Sequence, residues 1–365
     1  MMLHVGQLNV PSRDRYEAIM RGIFERRYYT NQGPLTRAFE ERLQAVLNVK
    51  HAICVTNTTI GLMMASEALC ISGRVIAPAI RNVTLAHALS WCRVEPAFAD
   101  VDAVDGQLDV DALAVSIAKM GPVSAIVGAN LWGDACDASA LVELAREHKL
   151  PIMFDSSHAF GCVTAGQRIG GFGDAEVISF DAADIVNAGG GACVTTDDDE
   201  LAARLRNIRS SYGAGRPVAV VKTSNGRMSE AQAALGLMSL DDYDANRERN
   251  QTLFEAYRSG LSATPGIRVV EPRRVDISNH QTLVCAVDED VSGLSRDRLI
   301  ARLAEHQIEA VAVRAFDSNE RFAADIERSW LRLPLGAHVG VSDVERVCTL
   351  IGEAVARRCS TGSAA

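Results

Sequence analysis

The chain lacks any apolar run approaching the about 18 residues that a membrane-spanning helix needs. Its start, "MMLHVGQLNV", has neither the basic segment nor the continuous apolar stretch of a secretory signal. Both absences predict a cytoplasmic protein with no membrane partner. No CxxC pair and no clustered histidine accompanies the nine cysteines, an odd number scattered from Cys54 to Cys359. Buried, reduced thiols are therefore expected in preference to disulfides or zinc ligands. Positive charge is not in excess either: the net charge is −9, with Lys and Arg dispersed along helical stretches. That balance argues against a general nucleic-acid surface. Internal repeats and low-complexity linkers are missing. So is any lysine between Lys149 and Lys222.

What the chain does have is alternation. At 365 residues, 48% of them hydrophobic and 23% charged, it can bury a substantial core. Short β-branched runs, "HAICV" (51–55), "GRVIAP" (73–78), "VSAIVGA" (123–129), "PIMFD" (151–155) and "EVISF" (176–180), alternate with longer helical patterns. Such alternation predicts an α/β unit with a mostly parallel sheet over residues 1–245. After residue 245 a charged helix, the strand-like "NHQTLVCAV" and a final helix "SDVERVCTLIGEAVARRC" predict a smaller α+β domain over 246–359. Residues 360–365 form an expected disordered tail.

Open parallel sheets bind ligands beyond the C-terminal ends of their strands, so the residues that follow each strand are the candidates. Asn57, Thr58 and Thr59 stand between a strand and an alanine-rich helix, either as a phosphate cradle or as a plain helix cap. Asp155 ends an apolar strand, with His158 three residues on. A carboxylate there suits a protonated heteroaromatic nitrogen, and the histidine a ring substituent. A capping aspartate and a satisfied core histidine are the structural alternatives. In "NGRMSEAQAALGL" (225–237), Ser229 is placed to cap a helix.

Together these stretches resemble the sugar aminotransferases of the DegT/StrS type, which have the aspartate-aminotransferase fold and bind pyridoxal phosphate (PLP). The resemblance runs from "YYTNQGPLTRAFEERL" through "APAIRNVTLAHAL", "ADVD", "GANLWGDACD", "FDSSHAFG", "GQRIGGFGDAEVISF" and "SNGRMSEAQAALGL" to "LRLPLGAHV" (331–339). It implies a three-layer α/β fold and a nucleotide-linked sugar as small-molecule substrate. It also implies that Asp155 pairs with the pyridinium nitrogen, that His158 lies near the phenolic oxygen, and that Asn57, Thr58, Thr59 and Ser179 surround the phosphate. Asn225 would reach the site of a neighbouring subunit, in a homodimer with shared active sites.

Two departures bear on the chemistry. Family members read Ser-Phe-x-x-x-Lys after the strand that precedes the glycines, and this chain reads Ser179-Phe180-Asp181-Ala182-Ala183-Asp184. Asp184 thus stands at the lysine that holds the cofactor covalently. Where an aromatic ring usually stacks on the cofactor, the chain has Asn82, preceded by Arg81. An amide cannot supply the stacking contribution of about 0.5–1.5 kcal/mol.

Three readings follow. One is an enzyme holding pyridoxamine phosphate (PMP) or PLP without a covalent bond, with Asp184 as acid and base, Asp181 as helper, and Arg81 and Arg314 as substrate contacts. A second is an enzyme that has given up the cofactor and uses the polar pocket for other chemistry. The third is a silent partner of an active relative. In the first, two neighbouring carboxylates in a partly buried turn would disfavour double ionisation; the alternative is a pair of exposed, ionised aspartates.

Overall fold

A computed structural model describes residues 2–80, 83–210, 216–220, 222–316 and 320–359. Its layers follow from period-two burial in the strands. In β1 (His51–Val55), Ile53 and Val55 join the core on one face of the large sheet, while Ala52 and Cys54 join the core on the other. The remaining strands of that sheet are β2 (Arg74–Pro78), β3 (Glu95–Ala99), β4 (Ala125–Ala129), β5 (Ile152–Asp155), β8 (Ala175–Phe180) and β9 (Gly191–Thr196). A short hairpin, β6 (Val163–Thr164) with β7 (Gln167–Arg168), precedes β8.

The order across the sheet is β1-β9-β8-β5-β4-β2-β3. Only β9 runs against the others, so the C-terminal ends of the parallel strands share one edge. Strands buried on both faces need helices on both. Helices α3 (Thr58–Ala68), α4 (Val83–Trp91) and α7 (Asp199–Arg209) cover one face through Leu62, Leu89 and Leu205. Helices α2 (Pro34–Leu47), α5 (Val110–Met120), α6 (Ala138–His148) and α8 (Glu230–Asp241) cover the other through Phe39, Leu113, Leu141 and Ala233. Helix α1 (Arg13–Arg26) packs beside α8. Ser229 caps α8 in a reciprocal box with Gln232, as its position predicts.

Beyond α9 (Tyr243–Leu261), strands β10 (Ile267–Val269), β11 (Leu283–Val287), β12 (Val311–Ala312) and β13 (Trp330–Leu333) form an antiparallel sheet in the order β10-β11-β13-β12. Helices α10 (Glu289–Ser292), α11 (Arg296–Glu305), α12 (Arg321–Ser329) and α13 (Val341–Cys359) complete this smaller part. The chain therefore has the expected α/β architecture, a large mostly parallel sheet followed by a small antiparallel one. The start of the chain is shared between the two parts. Leu3 pairs with Ile308 and belongs to the core of the smaller one. Trp132 and Trp330 meet at the junction with ring centroids 5.5 Å apart. Among the described residues, no helix is long and apolar enough to cross a membrane.

Candidate active site

Because β1, β2, β4, β5 and β8 end at one edge, the turns that follow them converge there. They enclose a cavity of about 570 Å³, closed on its far side by residues 311–314 and Arg332 of the smaller sheet. Asn57, Thr58, Thr59, His158, Ser179, Asp181, Asp184 and Arg314 all line it. Asp155 does not. It lies at the end of β5 with 1% of its surface exposed, and the backbone N–H and hydroxyl of Ser157 both donate to its Oδ1. Ser157 takes the place in the cavity wall. Asn225 is also outside the lining, where its Oδ1 accepts from Arg227 Nε at 2.9 Å. Arg81 and Asn82 fall outside the described residues.

The helix following β1 offers an anion cradle. Asn57 is the N-cap of α3, and its side chain accepts from Ile60 N at 2.9 Å. The N–H groups of Thr58 and Thr59 keep no protein partner among the described residues, and both residues face the cavity. Cap and cradle thus coexist in one turn: Asn57 satisfies the third N–H and leaves the first two for a ligand.

The turn after β8 is held from several sides. Asp184 N donates to Asp181 O at 3.0 Å, and Asp181 N donates back to Asp184 Oδ2 at 2.9 Å. Gln281 Nε2 reaches Asp184 Oδ1 at 3.4 Å, while Ile185 N donates to Gln281 Oε1 at 3.1 Å. Gly189 and Gly190 then take φ of +62° and +93°, a region that side chains disfavour, and lead the chain back into β9. Asp184 is left only 6% exposed. Burial, above all, pushes its carboxyl up to about 7, with the charge of Asp181 adding to the rise and bonds from Ser179, Asp181 N and Gln281 opposing it.

This differs from the expected carboxylate pair. Asp181 is exposed to solvent, so desolvation of Asp184 alone, more than mutual repulsion, sets the shift. His158 is neutral for a related reason. Burial and the nearby Arg332 charge lower its ring to about 4, and its Nδ1 accepts from Trp132 N at 3.4 Å.

The chain has four lysines, Lys50, Lys119, Lys149 and Lys222, and none lines the cavity. Lys50 and Lys222 instead pair on the surface with Asp199 and Glu67. Sequence reasoning passed over Gln281, Ser157, Trp132 and Arg332. Ser157, Trp132 and Arg332 stand inside motifs that carry the resemblance, and Arg332 is also a charge inside the otherwise apolar "WLRL" of β13.

Comparison with known proteins fits this geometry. A model of the DegT/DnrJ/EryC1/StrS aminotransferase family matches residues 13–351. The chain belongs to this family. A curated relative, the dTDP-4-amino-4,6-dideoxy-D-glucose transaminase of Shigella dysenteriae, is 28% identical over 306 residues, 84% of this chain and 83% of its own length. Among solved structures, DesI in the presence of its TDP-sugar product is 34% identical, with a TM-score of 0.93 over 99% of this chain and 95% of that one. Spr1654 of Streptococcus pneumoniae, solved in a PLP form, superposes with a TM-score of 0.85 over 98% of this chain and all of its own. At 21% identity, that likeness speaks to the fold alone.

Proposed function

We propose that this family member acts on a nucleotide-linked ketosugar or a related metabolite, with PMP or PLP held without a covalent bond and Asp184 in the place of the catalytic lysine. One observation carries the reading. Asp184 is a buried carboxyl poised at about 7, in a cavity that no lysine lines. The dTDP-sugar and TDP-sugar named for two relatives support the substrate class, and the sugar-aminotransferase family supports the cofactor.

The donor set suits the phosphate ester of such a cofactor: the free N–H groups of Thr58 and Thr59 and the hydroxyl of Ser179 meet in one wall. Bound there, PMP would supply an amine and an electron-accepting ring. Neutral His158 would bond a ring oxygen of the cofactor, and Asp155, although outside the lining, is the carboxylate that would hold a ring nitrogen protonated. Oδ2 of Asp184 is occupied by Asp181 N, so the more weakly held Oδ1 takes up and returns a proton at the substrate carbon. Near neutral pH both forms of the carboxyl are populated, which suits transfer in both directions. Asp181, exposed at the cavity rim, keeps the turn in place through its main chain.

Asn225 serves the site of a second copy in this reading. A cleft of about 670 Å³ beside it, lined by Ile60, Met63, Trp91 and Ile208 among others, leaves apolar surface for that copy to cover. Asp184→Asn tests the assignment. Turnover of dTDP-linked ketosugars should fall at least about 100-fold, the usual contribution of a positioned acid or base, with cofactor absorbance unchanged. Undiminished turnover would sink the role of Asp184.

The reading in which the cofactor is lost has one observation in its favour, the withdrawal of Asp155 from the cavity wall. Absorbance titration with PLP and PMP separates the two, since the second reading requires no saturable spectrum.

A further inference from the structure

A buried carboxylate outside the cavity lining is wired to two of the strand ends that form the site. Glu176 of β8 has no exposed surface and pairs in the ladder with Phe154 of β5. Its Oε1 accepts from Phe172 N at 2.7 Å, and its Oε2 accepts from Ser156 Oγ at 2.9 Å. Ser156 Oγ in turn accepts from Asn130 Nδ2 at 2.9 Å, and Asn130 Oδ1 accepts from Cys136 N at 3.0 Å. Ser156 and Asn130 are as fully buried as Glu176. Among the described residues no Lys or Arg lies within ion-pair distance of Glu176. A carboxylate enclosed without a cation depends on such hydrogen bonds.

Ser156 and Asn130 are the first residues past β5 and β4, so the chain on either side of them belongs to the site. Asp155 precedes Ser156. Ser157 follows it, and both its N–H and its hydroxyl donate to Asp155 Oδ1. Further along the same two turns, Trp132 N donates to His158 Nδ1 at 3.4 Å, and both residues line the cavity. The turns are thus joined twice, by Asn130 with Ser156 inside the core and by Trp132 with His158 at the cavity. Only the first junction leads to Glu176.

The geometry points to Glu176 as a positioning residue: through Ser156 and Asn130 it sets where the turns after β4 and β5 hold Asp155, Ser157 and His158 toward a bound cofactor. This rests on the functional reading above for the cofactor, whereas the link from Glu176 to the turns requires none. The link has a direction. An ionised carboxylate only accepts, so the Ser156 hydroxyl donates to it in a charge-assisted bond and keeps its lone pairs for Asn130. Because Phe172 N takes Oε1, a proton on Glu176 goes to Oε2, which then donates to Ser156 Oγ; Ser156 has to turn its own proton elsewhere. Burial pushes the Glu176 carboxyl up to about 7, against bonds from Phe172 N, Ser156 and the Gly170 main chain, so this reversal falls near neutral pH. Of the titratable groups around it, Cys136 feels its charge and is held by burial well above the ordinary thiol range. On the cavity side, His158 stands at about 4 and Asp184 at about 7.

Asp184→Asn removes the overlapping titration, and the full chain carrying that change is the parent for the test. Glu176→Gln keeps an acceptor for Phe172 N and sets an N–H against Ser156, which reproduces the protonated arrangement at every pH. Without cofactor, the His158 ring-proton shifts should step near pH 7 in the parent and stay flat in Glu176→Gln. Ser156→Ala should remove more than about half of that step, because the hydroxyl carries the link; a field of Glu176 acting directly on the ring would survive the change.

PLP titration followed by absorbance supplies the second readout. The Kd of Glu176→Gln should match the parent within about twofold at a pH of about 5.5, and be weaker by about fivefold or more at a pH of about 8.5, where only the parent has the charge-assisted bond. A glutamate that merely fills the core predicts the same ratio at both values. Circular dichroism identifies a misfolded glutamine variant, and Ser156→Ala then carries both comparisons. The inference is overturned if the parent shows no His158 step, if the step persists undiminished in either variant, or if the two PLP ratios are equal. A parent without saturable PLP absorbance would defeat the reading of function, while the His158 titration still decides the role of Glu176.

Discussion

Asp184 shows how one side chain carries a pH dependence into the whole fold. Its carboxyl is raised to about 7 in the folded chain from about 4 when unfolded, so the native state holds a proton that the unfolded chain releases. Its contribution is fully present at low pH and is lost as pH rises through about 7. Asp184→Asn should therefore raise stability by about 1–3 kcal/mol at pH 8 and leave it little changed at pH 4, as read by urea unfolding at the two values. Equal shifts at both would contradict a buried, poised carboxyl. This residue is legible from its distance to the Ser179-Phe180 pair. It could not disclose Gln281, which reaches Asp184 Oδ1 from another element at 3.4 Å, because nothing local marks an amide 97 residues away. The same holds for desolvation: the spacing of Asp181 and Asp184 is legible, whereas which of the two is buried depends on the packing around the turn.

At the scale of elements, α2 illustrates support hidden from the sequence. Its N-cap is Gly33, which offers no side chain, and Pro34 begins the helix. The open N–H groups are met by Glu230, a buried carboxylate from the first turn of α8: Gly33 N, Leu35 N and Thr36 N donate to it, as does Thr36 Oγ1 at 2.8 Å. Glu230→Ala should cost about 2–4 kcal/mol, since several buried donors lose a charged acceptor, measured by thermal or denaturant unfolding. A loss under about 0.5 kcal/mol would show that water replaces the carboxylate at little cost. The cap of α8 was legible from Ser229. The cross-element cap was not, because Glu230 reads simply as an acidic first-turn residue.

For the whole molecule, the alternation of strand and helix was enough to read an α/β unit with a mostly parallel sheet, the family resemblance added the three layers, and the change of pattern after residue 245 announced a smaller α+β part. Leu3 in the core of the smaller part was not legible, because a single apolar residue near a chain end has no periodicity to assign it. Assembly belongs at this scale too. The shared-site reading predicts a solution mass of two chains by light scattering, and a single-chain mass at micromolar concentration would remove Asn225 from the site. The central claim, that the chain works without a covalent link to its cofactor, meets its most direct test in intact-mass analysis after incubation with PLP and borohydride. Wild type should gain no stoichiometric pyridoxyl adduct while showing saturable PLP absorbance before reduction, and Asp184→Lys should gain one adduct at residue 184. A stoichiometric adduct on any of the four native lysines of the wild-type chain would contradict it.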